Sequence, residues 1–563
     1  MGPGDDLALA SRPLHRGSGC HECRRRKLKC SGTKPSCDRC VRSNTQCVYD
    51  PVEKSKVALL RDEVVMLRQK VKSLEAQITP PSPSTTCSRP SSYDPSSRVQ
   101  TSSPTPPAIW RAPLSADEQS FLLNQFLGIQ HVANEYVSPS SHQDLPAAKM
   151  SAYLLASHFS PSTPAHPFLE WSRHSIDESI RIAGQTQPNH SAPLVLDAIH
   201  ASSLLASWMM INGRLLECQQ ALFSAAKLAI LSGLHKIRSF TLDVPTTSAP
   251  PSMVSAPTST ADAKYRVGIF WQLLCLDYTA AIIMGPSVSA SLPWEEAPAE
   301  VLVETMWPAF EMGSPSKANP GSIASLFKSS QTRAPSPKPS GPVDMGVLRA
   351  KAIVLLERAV RVSALWRRSS RSSTPTSPGS PRSPSPDNEA IRKAIKETDW
   401  AISSVLEQLP LGSEMKSVCI VPHTLLLCAR VRLHETLAEQ NDPVSQVVWV
   451  QSAVAIVRLL DSVQVECPDL LLAYSWLASH MVLLHEHTYV PYHPESEHAI
   501  KIRADLDKLR RLLEGLGKKM PIVATMYKSA VEQFEAQRRS TMKVEDVKME
   551  ISNSEVDELA EDT

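Results

Sequence analysis

Six cysteines within 28 residues constrain this 563-residue chain more than anything else in it. Cys20, Cys23, Cys30, Cys37, Cys40 and Cys47 are spaced C-x2-C-x6-C-x6-C-x2-C-x6-C, so each half reads C-x2-C-x6-C. A C-x2-C pair brings two sulfurs to one ion, and Zn2+ takes four thiolates in a tetrahedron. Two separate tetrahedra need eight ligands, so six sulfurs complete two only if two of them bridge both ions. A segment this short buries no core of its own, and metal binding must supply most of its folding energy. The other cysteines, Cys87, Cys218, Cys275, Cys419, Cys428 and Cys467, are scattered singly and read as core or incidental residues.

Charge has to be read locally, because the formal net charge of the whole chain is only +2. Between Cys20 and Cys47 there are eight basic residues (Arg24, Arg25, Arg26, Lys27, Lys29, Lys34, Arg39 and Arg42) against Glu22 and Asp38. With six thiolates and two divalent ions the module carries a net charge of about +4. A local basic patch of this kind suits nucleic acid.

The spacing resembles the fungal zinc binuclear cluster family over residues 20–47, and Pro35 stands where that family carries a loop proline. The resemblance implies that Cys20 and Cys37 bridge, that Cys23 and Cys30 complete one site, and that Cys40 and Cys47 complete the other. It also implies that the basic run Arg24-Arg25-Arg26-Lys27-Leu28-Lys29 is a short helix entering the major groove. Arg26 and Lys27 then match the positions that reach base edges, where a basic group donates to guanine O6 and N7. Arg24, Arg25, Lys29, Arg39 and Arg42 are the expected phosphate contacts, which position without specifying. The implied target is double-stranded DNA carrying CGG-like triplets, and the implied location is the nucleus. A protein-binding zinc module is the alternative, but cross-brace and ribbon folds need other cysteine spacings.

Val57, Leu60, Val64, Leu67, Val71, Leu74 and Ile78 follow at heptad spacing, β-branched at a and Leu at d. That choice favours a short parallel coiled coil and hence a homodimer. Glu63 and Lys70 at g oppose Arg68 and Glu75 at e of the partner helix, whereas Lys56 faces Arg61 and repels it. Three heptads are marginal alone, so later parts of the chain are expected to add to the dimer.

The remainder reads as all-α. Residues 1–19 are expected to be disordered, as are residues 79–114, which are rich in Pro, Ser and Thr. Ser115 and Glu118 form a capping box that starts a helical domain running to residue 540. Its helical stretches show apolar residues at i, i+3 and i+4, without the alternation of a sheet. Leu194 to His235 reads as two antiparallel helices joined at Asn212-Gly213; Tyr265 to Pro293 reads as a helix ending at Gly285-Pro286. In this order after a zinc cluster, both resemble the regulatory middle homology domain of the same family, which implies restraint of activity and, in some members, response to an inducer.

Insertions are expected at 240–262, 312–344 and 368–388. The last is dense in Ser-Pro and Thr-Pro steps that suit proline-directed kinases. Further helices are expected at 389–409, 422–440, 443–461, 469–486 and 497–536. His485, His487, His493 and His498 read as an inter-helix loop, since Pro491 and Pro494 break helical metal geometry. Residues 541–563 are acidic and patchily hydrophobic, compatible with an activation segment or a solubilising tail. Val547-Lys548-Met549-Glu550 fits the short sumoylation consensus.

No P-loop, nucleotide-binding glycine motif, GxSxG or HExxH is present, so an enzyme is not expected. No run of eighteen apolar residues occurs, so no membrane partner is expected. The N-terminal residues lack a secretory h-region, and twelve cysteines then point to a reducing compartment. The expected protein is a mostly α, zinc-dependent transcription factor whose partners are DNA, a second copy and the transcriptional machinery or its co-regulators. The alternative is a receptor whose helical domain senses a metabolite and gates DNA binding.

Overall fold

Sulfur atoms rather than hydroxyls start the two short helices nearest the N-terminus, α1 (His21–Arg25) and α2 (Asp38–Arg42). The computed structural model describes residues 20–33, 35–48, 66, 114–129, 146–160, 166–186, 188–239, 253–285, 288–308, 322–327, 344–372, 386–409, 417–461, 469–490, 493 and 495–540. The chain divides into two units, Met1–Pro104 and Thr105–Thr563. Every regular element among the described residues is helical. The heptads expected to form a coiled coil, the linker 79–113 and the tail 541–563 lie outside the described residues, except for Met66.

The second unit opens on the expected capping box. Ser115 Oγ accepts from the Glu118 N–H (3.2 Å) and Glu118 Oε2 accepts from the Ser115 N–H (2.8 Å), starting α3 (Ala116–Ile129). There follow α4 (Pro146–His158), α5 (His166–Gln185), α6 (Pro188–Ile211), α7 (Leu215–Leu231), α8 (Thr260–Met284), α9 (Met345–Ser372), α10 (Pro386–Leu406), α11 (Ser417–Glu439), α12 (Pro443–Asp461), α13 (Leu470–Tyr489), α14 (Glu497–Lys519) and a last helix over 521–540. Helices α6, α8 and α13 are apolar on nearly every face, and such helices can be satisfied only at the centre of a bundle. Accordingly α6 packs against α4, α5, α7 and α8, and α11 against α9, α10, α12 and α13. Contact of α8 with α6, α7 and α9 joins both groups into one hydrophobic core.

Buried acids stitch this core together, capping or pairing with segments distant along the chain. Asp197 in α6 accepts from the N–H groups of Ala147 (3.1 Å) and Ala148 (2.9 Å) at the start of α4. Asp469 caps α13 through the N–H groups of Leu471 and Leu472 and pairs with Arg349 of α9 at 2.7 Å. Asp277 in α8 accepts from Ser291 (2.6 Å) and Leu292 (2.9 Å), pinning the segment after α8 back onto it.

Burial raises the Asp277 carboxyl to about 6, and the nearby charge of Glu357 adds to the shift. The folded chain therefore holds this proton more tightly than the unfolded chain. The contribution to stability is greatest below about pH 4, falls by roughly 3 kcal/mol as pH rises to about 6, and is flat above. Asp277→Asn keeps an oxygen that accepts both N–H bonds but does not titrate. Its unfolding free energy in urea is expected to lose that share of the decline between pH 4 and 6; a slope equal to that of the unsubstituted chain contradicts this.

Several edges differ from expectation. The insertion read as 240–262 ends earlier: Ser259 caps α8, and Thr260 to Asp262 are its first turn. Within 312–344, Ile323–Phe327 form an ordered turn whose Phe327 ring stacks on Trp294 (4.7 Å) with the Arg358 guanidinium 4.0 Å from it. At 368–388, α9 continues to Ser372 and α10 begins at Pro386. The helix expected from Leu194 starts at Pro188 and the one expected from 422 starts at Ser417, with Pro193 and Pro422 inside them. The single helix expected over 497–536 is two, divided at Met520, where the backbone is extended before Pro521. The histidine cluster is not one loop: His485 and His487 lie on α13 and His498 on α14, with His493 between. By length and composition Ser191–Ile211, Thr260–Met284 and Pro443–Leu460 are apolar enough to cross a membrane, with 94%, 89% and 39% of each window buried inside the protein. None is an unbroken apolar run, because Ser, Thr and Gln together with Asp197, Asp277 and Arg458 interrupt them.

Candidate metal centre and nucleic-acid interface

Cys20 and Cys37 each hold an extended backbone (ψ 158° and 150°) immediately before a helix. Each sulfur accepts a 3.4 Å bond from the N–H three residues on, Cys23 for Cys20 and Cys40 for Cys37. This is the N-cap geometry ordinarily made by Ser or Asp, with a thiolate-forming atom in the capping role. One helical turn then swings the second cysteine of each C-x2-C pair beside the first. Both helices stop after five residues, and the chain turns back through left-handed residues at matching places, Lys27 (φ 51°) and Asn44 (φ 48°). Leu28 N–H and Thr45 N–H bond the carbonyls of Cys23 and Cys40 at 2.9 and 3.0 Å, so the two halves repeat in backbone as well as in sequence. The return strokes deliver Cys30 and Cys47.

The sulfurs converge on two four-membered groups. Cys20, Cys23, Cys30 and Cys37 form one and Cys20, Cys37, Cys40 and Cys47 the other, with ligand atoms in each within 4.8 Å of one another. Four thiolates about 2.3 Å from one zinc lie about 3.8 Å apart at the edges of a tetrahedron. Observed separations are 3.8 Å for Cys20–Cys37, 3.7 Å for Cys23–Cys37 and 3.6 Å for Cys20–Cys40. The donor set therefore fits two zinc ions per chain, with Cys20 and Cys37 common to both groups.

Electrostatics agree with that fit. The backbone N–H of Cys40, followed by neighbouring thiols, holds Cys37 down to about 6. Burial pushes the thiols of Cys20 and Cys23 up and that of Cys40 up to about 12. Six crowded sulfurs cannot ionise together without cationic charge among them, and divalent ions supply it.

The basic residues ring the outside. Arg24, Arg25, Arg26, Lys27 and Lys29 are exposed, as are Arg39 and Arg42 of the second half. The helix in the basic run is shorter than the resemblance implied: α1 ends at Arg25, Arg26 is its C-cap, and Lys27 and Lys29 lie on the returning strand. The cause is the cluster itself, since a longer helix would carry Cys30 away from the sulfurs. Glu22, read from sequence only as one of two acids, is an organising group. Its carboxylate takes Arg25 through Nε (3.0 Å) and Nη2 (2.7 Å), and Arg26 Nε lies 2.5 Å away. The i, i+3 and i, i+4 spacing of Glu22 to Arg25 and Arg26 was the signal that could have found it. The residues expected to dimerise, Val57, Leu60, Val64, Leu67, Val71, Leu74 and Ile78, lie outside the described residues.

Residues 18–56 match the fungal Zn(2)-Cys(6) binuclear cluster domain. A "Zn(2)-C6 fungal-type transcription factor FTF2" of Fusarium oxysporum is 44% identical over 59 residues, 10% of this chain and 5% of that protein. The "transcription factor rglT" of Emericella nidulans is 47% identical over 45 residues, 8% and 11%. The lysine biosynthesis regulatory protein of Saccharomyces cerevisiae is 59% identical over 32 residues, 6% and 4%. The matches thus span about a tenth or less of these relatives' lengths. No solved structure matches the chain. The N-terminal segment is a zinc binuclear cluster domain homologous to those of fungal transcription factors, a non-catalytic DNA-binding family.

Proposed function

We propose that the chain is a zinc-dependent, sequence-specific DNA-binding regulator of RNA polymerase II transcription that works in the nucleus as a homodimer on CGG-like half-sites. The observation that carries this reading is the pair of four-sulfur groups sharing Cys20 and Cys37, with an exposed basic segment projecting between Cys23 and Cys30. Zinc would be held by the six cysteines and supply structure, not chemistry at a substrate. In this reading Arg26 and Lys27 face base edges, while Arg24, Arg25, Lys29, Arg39 and Arg42 contact phosphates. The heptads from Val57 to Ile78 pair two chains, and the helical unit, as a regulatory domain, restrains or recruits co-regulators and the transcriptional machinery.

Selection of binding sites from random duplex DNA by the zinc-loaded chain tests it. Enrichment of paired CGG triplets is expected, at least about a thousandfold in affinity over unrelated duplex. A pool without any enriched triplet overturns the reading. Recovery of single triplets only removes the homodimer from it.

The metabolite-sensing alternative needs a pocket in the helical unit. A cavity of about 200 Å³ lies at the C-terminal end of α8, lined in part by Gly285, Ser289, Glu296, Glu357, Arg361 and Arg368. Ligand sites are ordinarily about 300–1,000 Å³, and Glu357 is already engaged by Arg361 at 3.0 Å. This cavity gives ligand sensing no specific support, and the two four-sulfur groups keep DNA binding the first reading.

A further inference from the structure

The two halves of the cysteine cluster share one backbone, so residues at equivalent places can be compared directly. Glu22 in the first half corresponds to Arg39 in the second, Arg25 to Arg42, and Arg26 to Ser43. In the second half no carboxylate among the described residues meets the equivalent arginine: Arg42 Nε donates to the Asp38 backbone carbonyl at 3.3 Å. In the first half one carboxylate meets two guanidinium groups. The acid is thus an addition to the half that carries the basic run, not a requirement of the scaffold.

What the carboxylate does follows from which edge of each guanidinium it occupies. A guanidinium offers donors along two usable edges, the side edge of Nε with one Nη and the end edge of both Nη atoms. Glu22 takes the whole side edge of Arg25, through Nε and Nη2. With Arg26 it forms an ion pair in which Nε lies 2.5 Å from a carboxylate oxygen. The end edge of Arg26, with its two parallel N–H groups, is left to donate, and that is the pair that fits guanine O6 and N7. The Arg26 side chain is also shortened in its freedom, because its Nε is anchored one helical turn back. An arginine that arrives oriented loses less rotamer entropy on contact.

From this geometry we infer that Glu22 is a positioning residue for sequence discrimination: it locks Arg25 side-on and presents the end edge of Arg26 to a base. It lowers overall attraction to the phosphate backbone while raising the selectivity of the contact that remains. This inference rests on the DNA-binding reading above and deepens it. A surface ion pair adds little to stability, so the role shows in selectivity rather than folding.

The test uses the full zinc-loaded chain with two substitutions, and reads dissociation constants for a CGG duplex and for duplexes with one guanine replaced, over a range of salt. Glu22→Gln removes the charge that holds both arginines. It is expected to tighten binding to the altered duplexes several-fold, to steepen the salt slope by about one, and to cut discrimination about tenfold. Glu22→Asp keeps the charge but is too short to reach both guanidinium groups. It is expected to cut discrimination similarly with the salt slope unchanged, and so separates position from charge. Zinc content, two ions per chain for each variant, shows that the cluster is intact; if either variant loses zinc, the other carries the test. Discrimination retained in an intact variant overturns the role of Glu22 alone. An unsubstituted chain that prefers no duplex overturns the DNA-binding reading and this inference with it.

Discussion

Cys37→Ser is expected to strip both zinc ions from the chain, whereas Cys47→Ser is expected to leave one in place. Cys37 belongs to both four-sulfur groups, so its loss removes a ligand from each, and it also caps α2 through the Cys40 N–H. Cys47 is half-exposed and belongs to one group. Structural zinc contributes on the order of 10–16 kcal/mol to small modules with no core of their own, far beyond what the five-residue helices α1 and α2 supply. Without metal the segment should therefore lose its fold, and DNA affinity should drop at least about a hundredfold, to the level of non-specific contact. Native mass spectrometry counts the ions, and equal metal content in the two variants contradicts the shared-sulfur arrangement.

Trp271→Ala is expected to lower the stability of the helical unit by about 3–5 kcal/mol while leaving zinc content unchanged. Trp271 is fully buried at the middle of α8, stacked on Trp307 with ring centroids 4.7 Å apart. Its Nε1–H donates to the Met306 carbonyl at 2.6 Å, holding the segment before α9 against α8. Truncation leaves a cavity where α8 joins the two helical groups, and leaves that carbonyl without its donor. Because the core is continuous across both groups, the loss should move one cooperative urea transition rather than split it. Trp271→Phe refills much of the space but not the hydrogen bond, and should cost less. Two separate transitions in the alanine variant would show that the groups around α6 and α11 fold independently.

The metal centre was legible because its information is one-dimensional. Cysteine identity and spacing state how many sulfurs can reach how many ions and that two must be shared; that the shared pair is Cys20 and Cys37 was implied by the family resemblance rather than by that count. Helical type was legible for the same reason in Leu194 to His235, where period, Asn212-Gly213 and Gly233 mark two helices and their ends; both glycines are left-handed, at φ 73° and 70°. What was missed depended on neighbours far along the chain. A proline such as Pro193 or Pro422 looks locally like a helix boundary, yet these helices begin at Pro188 and Ser417 and run through them. Ile323 to Phe327 sat in a Ser-rich stretch, and only Trp294 and Arg358 make it an ordered turn. Pro521 was a readable start for a new helix, obscured by unbroken apolar spacing on either side. In the cluster, Lys27 gave no sign of a left-handed backbone, which the return to Cys30 imposes.

Metal and DNA meet in one experiment. A labelled CGG duplex is titrated with the zinc-loaded full chain, then the complex is treated with a chelator and finally resupplied with zinc. The expected result is specific binding that collapses on chelation and returns with zinc at two ions per chain. Equal binding by the metal-free chain would contradict the account.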